Sequence, residues 1–178
     1  MRAADRVIRI VQDTREVTPL AFPDSYTFGG ELWTITVERA RLVTADYSLR
    51  GWTGCDGEPA GIALERKADL DEIANNISWE RERFEKEMTR MAAFQTALIV
   101  LESGSWEDAA AGNFRSRMSP ASMVGSLRSL EERWRVPIVM AGSPAAAATH
   151  VLAVMRRFIV RKDREAKAQE QKGEEDVR

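Results

Sequence analysis

An α/β fold, with a mixed central sheet flanked by helices on both faces, is the class this sequence predicts. Three observations carry that expectation. Strand-like segments come first and then alternate with helical ones, the order of a layered α/β domain. Thr96–Leu101 is a near-continuous apolar run of strand length, which suits a strand buried on both faces of a parallel sheet. Twice, at Ser119-Pro120 and Ser143-Pro144, an N-cap residue precedes a proline at the first helical position.

The elements follow in order. Residues 1–6 read as a loose end, and Val7–Gln12 as the first strand, with Val7, Ile8, Ile10 and Val11 set against Arg9 and Gln12. Pro19 and Pro23 make Val17–Asp24 a loop, and Phe28-Gly29-Gly30-Glu31 is a turn leading into an alternating strand over Leu32–Glu38. After Arg39-Ala40-Arg41, a third short apolar run, Leu42–Ser48, carries Asp46 towards its end. Gly51, Gly54, Gly57 and Pro59 predict a loop over Leu49–Pro59. Its Trp52 is either a lid residue or a cover over the core, and packing is the commoner use of an aromatic. A buried strand then runs through Leu64 and ends in Glu65-Arg66-Lys67.

Beyond Lys67 the period changes to that of a helix, with Leu70, Ile73, Ala74 and Ile77 on one face. Asn75-Asn76 with Ser78 predicts a break, followed by a second helix over about residues 79–93 carrying Phe84, Met88 and Met91. Ser105–Gly112 reads as a short helix. The first Ser-Pro helix has the stripe Met123, Val124, Leu127, Leu130 and Trp134, and Pro137–Met140 is the last strand. The second Ser-Pro helix presents Val151, Leu152, Val154, Met155, Phe158 and Ile159. One domain over residues 1–160 is expected. In residues 161–178, 12 of 18 are charged and none is aromatic, so this tail is either a frayed helix or disordered.

Composition removes several classes of function. At 178 residues the chain has room for one well-buried domain. A single cysteine, Cys55, rules out an internal disulfide and makes a reducing, cytoplasmic setting the expectation. No apolar run reaches the roughly 18 residues of a membrane span, and no apolar stretch behind Met1–Arg6 suggests a signal peptide. The lone histidine, His150, excludes a multi-histidine metal site and argues against serine or cysteine protease chemistry. A formal charge of −2 does not advertise a nucleic-acid binder, although such binding depends on local patches rather than on the sum.

The end of the Leu64 strand is where chemistry concentrates. Side chains alternate along a strand, so Glu65 and Lys67 share one face and Arg66 turns to the other. A carboxylate and an ammonium so placed suit a divalent cation beside a group that orients water; they also suit a plain salt bridge at a sheet edge. Two further acidic strand ends favour the metal: Asp13 in Asp13-Thr14-Arg15-Glu16, and Asp46. If the three strands are neighbours, Asp13, Asp46 and Glu65 converge on one hard cation, magnesium or manganese. Asp71 is either part of this chemistry or a helix-terminus acid favoured by the dipole. Arg81, Arg83, Lys86 and Arg90 either face phosphate or pair with Glu80, Glu82, Glu85 and Glu87 on a solvated helix.

D-T-R-E, A-D-Y, and E-R-K with an acid four residues after the lysine together resemble the nuclease domain of the XPF-type structure-specific DNA endonucleases. The pattern of that family is roughly G-D-x(n)-E-R-K-x-x-x-D, and Asp46, Glu65, Arg66, Lys67 and Asp71 stand in register with it. The resemblance spans about residues 7–160. It departs at Ala45, where the family usually has glycine, and in the long Leu49–Gly61 insert.

The resemblance implies a restriction-endonuclease-like core and a Mg2+- or Mn2+-dependent endonuclease acting on branched or flapped DNA in repair or recombination. It also implies a homodimer built through helices on the C-terminal side. Asp46 and Glu65 are then direct metal ligands, and Asp13 binds directly or through water. Lys67 positions or deprotonates the attacking water. Arg15 and Glu16 organise the acids, Arg66 pairs with a carboxylate or a phosphate, and Asp71 supports the site. Arg83, with Arg81, is the expected DNA contact. The competing class is a non-catalytic DNA-binding or scaffolding partner that keeps the fold. Such a protein is expected to have lost these acids and Lys67, which here stand together.

Overall fold

The structure is a computed structural model and describes residues 5–175. In chain order its elements are β1 (Val7–Asp13), β2 (Ser25–Phe28), β3 (Glu31–Ala40), β4 (Tyr47–Leu49), β5 (Ile62–Lys67), α1 (Leu70–Ser78), α2 (Arg81–Met91), β6 (Thr96–Leu101), α3 (Trp106–Ala111), α4 (Pro120–Trp134), β7 (Ile138–Met140) and α5 (Pro144–Glu175). The strands form one mixed sheet in the order β2-β3-β1-β4-β5-β6-β7. Its β5-β6-β7 half is parallel, while β4 runs antiparallel to both of its neighbours.

Two crossovers in the same direction explain the layering. The chain goes from β5 to β6 through α1 and α2, then from β6 to β7 through α3 and α4. Right-handed crossovers repeated along one direction put all four helices on one face. Beneath them lies a core containing Ile73, Phe84, Met88, Ile99, Met123 and Leu127. The opposite face is covered by α5, whose Val151, Leu152, Met155, Phe158 and Ile159 pack with Ile8, Ile10, Trp33, Tyr47 and Leu64. Helices on both faces are thus observed.

Several expectations change. The sequence reading placed no strand at Ser25–Phe28, but β2 forms the sheet edge there, closed onto β3 by Gly29 and Gly30 with φ of 54° and 85°. Positive φ at both central residues is what a two-residue hairpin turn requires. Asp46 lies just ahead of β4 rather than near the end of a strand, because Val43–Asp46 is a bend. The predicted break at Asn75-Asn76 is absent: α1 continues through both to Ser78, and the chain turns at Trp79 and Glu80. A cap at Asp69, whose carboxylate accepts from the Glu72 N–H, and the apolar face of α1 outweigh two residues of low helix propensity.

Trp52 proves to be a cover. Its ring packs edge-on against Phe158 with centroids 5.2 Å apart. A Cβ on Gly61 would stand 2.6 Å from that of Trp52, so only glycine fits beneath it. The charged segment after Val160 is helical to Glu175, as the end of α5, and residues 176–178 lie outside the described part, as do residues 1–4. Among the described residues the exposed large hydrophobics are Val17, Leu32, Val37, Val43 and Trp79, none of which lies on α4 or α5.

Candidate metal centre at the end of β5

Strand pairing brings the central acids together. Tyr47 of β4 pairs with Leu64 of β5, and both side chains enter the core under α5. Their neighbours Asp46 and Glu65 consequently project from the other face, where both line a cavity of about 180 Å³. The backbone locks this register: Asp46 N–H donates to the Leu64 carbonyl at 3.1 Å, and Arg66 N–H donates to Asp46 Oδ2 at 2.8 Å. Lys67 shares the face of Glu65, and its Nζ donates to Glu65 Oε1 at 2.8 Å. Glu72, from the first turn of α1, reaches the same ammonium at 3.5 Å, and the ring of Phe84 lies 5.7 Å beneath it.

The turn that aims Asp46 is strained at Ala45, which sits at φ 62° and is buried. This is the left-handed region that glycine occupies without steric penalty. The departure from the G-D pattern therefore falls where glycine would be easiest to accommodate.

Electrostatics follow from burial. Desolvation, with Glu65 close by, pushes the Asp46 carboxyl up to about 8. Desolvation also lifts Glu65, to about 7, although the Lys67 ammonium opposes it. Burial alone would lower Lys67, but the surrounding Glu65, Glu72 and Glu87 carboxylates more than reverse this and hold it as an ammonium. Glu65 Oε2 is buried and has no hydrogen-bond partner. A pair of carboxylates reluctant to stay charged, one with an unused buried oxygen, fits a hard divalent cation, which would supply the missing positive charge.

Asp13 lines the same cavity but is already engaged. Its Oδ1 accepts from Arg15 N–H at 2.6 Å and from Arg15 Nε at 2.9 Å; Oδ2 accepts from Arg15 Nη2 at 2.7 Å and from Leu42 N–H at 2.9 Å. Burial would raise this carboxyl, yet those donors hold it below the usual carboxylate range. Asp13, Asp46 and Glu65 thus share one cavity, with Asp13 held there by Arg15 and Leu42. Among the described residues, no group of three or more His, Cys, Asp or Glu is arranged to hold one metal ion.

The remaining residues separate. Arg66, on the opposite face, makes a two-pronged pair with Glu102, Nε to Oε1 at 2.7 Å and Nη2 to Oε2 at 2.8 Å, with Glu16 3.9 Å away. Asp71 lies apart from the cavity and accepts from the Arg115 and Ser116 backbone N–H groups and from Arg115 Nε. It pins the 113–117 loop to α1, while Asp69 is the cap. Arg83 reaches the cavity rim, exposed and only loosely paired with Glu80 at 3.5 Å. Arg81 pairs with Glu85 at 3.0 Å and lines a separate, more apolar depression of about 350 Å³ between α2 and α4.

Sequence reasoning gave no site role to Asn76, Glu80 and Glu87, which line the cavity, or to Glu72, which reaches Lys67. Glu87 stands one helical turn after Arg83, a spacing legible in the sequence, but it was absorbed into the charged surface of α2.

The ERCC4 domain family model matches residues 12–154. Two solved structures are similar. XPF from Aeropyrum pernix aligns with a TM-score of 0.55 at 16% identity, over 85% of this chain and 59% of that one. XPF from Aeropyrum pernix in complex with DNA aligns with a TM-score of 0.57 at 18% identity, over 87% of this chain and 66% of that one. The chain thus spans about three-fifths to two-thirds of the length of those proteins. No curated protein matches it.

Proposed function

The chain belongs to the ERCC4 domain family, and on that premise we propose that it is a divalent-metal-dependent DNA endonuclease acting on branched or flapped DNA in repair or recombination. One observation carries the reading: Asp46 and Glu65 stand side by side on one sheet face, with Glu65 Oε2 unpartnered and the Lys67 ammonium 2.8 Å from Oε1. A similar XPF fold is recorded in complex with DNA, which supports DNA as the substrate class.

Asp46 and Glu65 would hold Mg2+ or Mn2+, which when bound polarises a phosphodiester and acidifies its water. Lys67 keeps a positive charge where negative charge grows on the phosphate and orients the water. The Glu65, Glu72 and Glu87 carboxylates around it favour its ammonium form. Asp13 and Arg15 brace the wall, and Arg66 with Glu102 and Glu16 fixes the end of β5 from behind. Arg83 is the DNA contact nearest the cavity. Homodimerisation through the C-terminal helices also belongs to this reading. A strict monomer by sedimentation at micromolar concentration removes it.

The test is cleavage of flap, junction, linear duplex and single-stranded DNA, with and without Mn2+. The proposal expects metal-dependent cuts in the branched substrates that disappear in Glu65→Gln and Lys67→Ala. DNA binding without cleavage under every condition would instead give a scaffolding protein.

A further inference from the structure

Asn76 is an anomaly of the α1 helix. It is buried, with 9% of its surface exposed, beside the apolar face formed by Ile73, Ala74 and Ile77. Its amide nitrogen donates to Glu80 Oε2 at 3.0 Å, and the carbonyl oxygen, Oδ1, is buried with no partner. An unpartnered buried acceptor is unfavourable, so it calls for a positive or donating group. Of the donors of the cavity wall, Lys67 is held by Glu65 and Glu72 and Arg15 by Asp13, while Arg83 is exposed at the rim and pairs loosely with Glu80.

Two buried oxygens in this one cavity are therefore idle, Asn76 Oδ1 from the helix and Glu65 Oε2 from the sheet. The bond from the Asn76 amide nitrogen to Glu80, itself held by Arg83, fixes which end of the amide is free. A neutral carbonyl oxygen is an ordinary ligand for a hard cation. We propose that Asn76 is a protein ligand of the divalent cation, contributed by α1 opposite Asp46 and Glu65. This inference rests on the metal-site reading above and adds to it a ligand from the helical layer. Cation binding would thereby tie α1 to the end of β5.

The test is calorimetric titration of the metal-free protein with Mn2+, for wild type, Glu65→Gln, Asn76→Ala and Asn76→Asp, with thermal melts to verify folding. The expected result is that Asn76→Ala weakens Mn2+ binding by about tenfold or more, and that Asn76→Asp, which restores an oxygen ligand, binds at least as tightly as wild type. If wild type and Glu65→Gln bind Mn2+ equally, the metal-site reading itself fails, and wild type that binds none overturns both. If wild type binds, Glu65→Gln does not, and Asn76→Ala binds as wild type does, the reading stands and Asn76 is no ligand. Should Asn76→Ala fail to fold, Asn76→Asp decides: Mn2+ binding weaker than wild type overturns the assignment.

Discussion

Lys67 Nζ lies 2.8 Å from Glu65 Oε1, two residues back on the same strand, with both side chains more than nine-tenths buried. An ion pair so deep is weak evidence for stability, because desolvation of two charges rivals their attraction. It is better understood as a charge arrangement kept for chemistry, and its energetics are asymmetric. Replacing Glu65 with leucine leaves the buried ammonium its longer pairing with Glu72, at 3.5 Å, and should destabilise the protein by at most about 3–5 kcal/mol. Lys67→Met should cost less, since the Glu65 carboxyl, lifted to about 7, can take a proton. The double variant should be more stable than Glu65→Leu alone, as a denaturant double-mutant cycle would measure.

Asp46 gives a stability prediction with a definite sign. Its carboxyl titrates near its ordinary 3.8 when unfolded and at about 8 when folded. Between those values the folded state holds a proton that the unfolded state has lost, so this group's contribution falls as pH rises from about 4 to 8. Asp46→Asn, which keeps an oxygen for the Arg66 N–H, should therefore raise the stability of the metal-free protein at pH 8 by on the order of 2 kcal/mol. The gain should shrink towards pH 4. Melts across that range check it.

Asp13 is saturated by Arg15 and Leu42. Asp13→Asn should lower the melting temperature, because one acceptor of a charged donor is lost, at about 1.5–3 kcal/mol. Mn2+ affinity should remain essentially unchanged. A loss of affinity as large as that of Glu65→Gln would make Asp13 a direct ligand after all.

Ala45→Gly balances two terms. Relief of the left-handed strain is worth about 1–2 kcal/mol, whereas removing a buried methyl costs about 0.8 kcal/mol and added freedom in the unfolded chain about 0.4–1 kcal/mol. The net change should stay within about 1 kcal/mol of zero by these figures. Equilibrium denaturation measures it.

Much of this architecture was legible because local signals and packing agree. The apolar run Thr96–Leu101 is β6 with the same bounds, and both Ser-Pro pairs open helices. Glu65 and Lys67 fell on one face because alternation along a strand is geometric. What escaped was short or depended on partners distant in sequence. β2 is a four-residue edge strand whose exposed residues, Ser25 and Thr27, carry no core pattern. Asn76 looked like a helix breaker until burial against the site gave its amide a place. For Asp13, no local pattern reports that the Leu42 N–H, 29 residues on, occupies one of its oxygens.

The most direct measurement is an anomalous-scattering map of wild-type crystals grown with Mn2+. The account predicts a peak between the Asp46 and Glu65 carboxylates. Those carboxylates ordered as found here, with manganese bound elsewhere or nowhere, would contradict it.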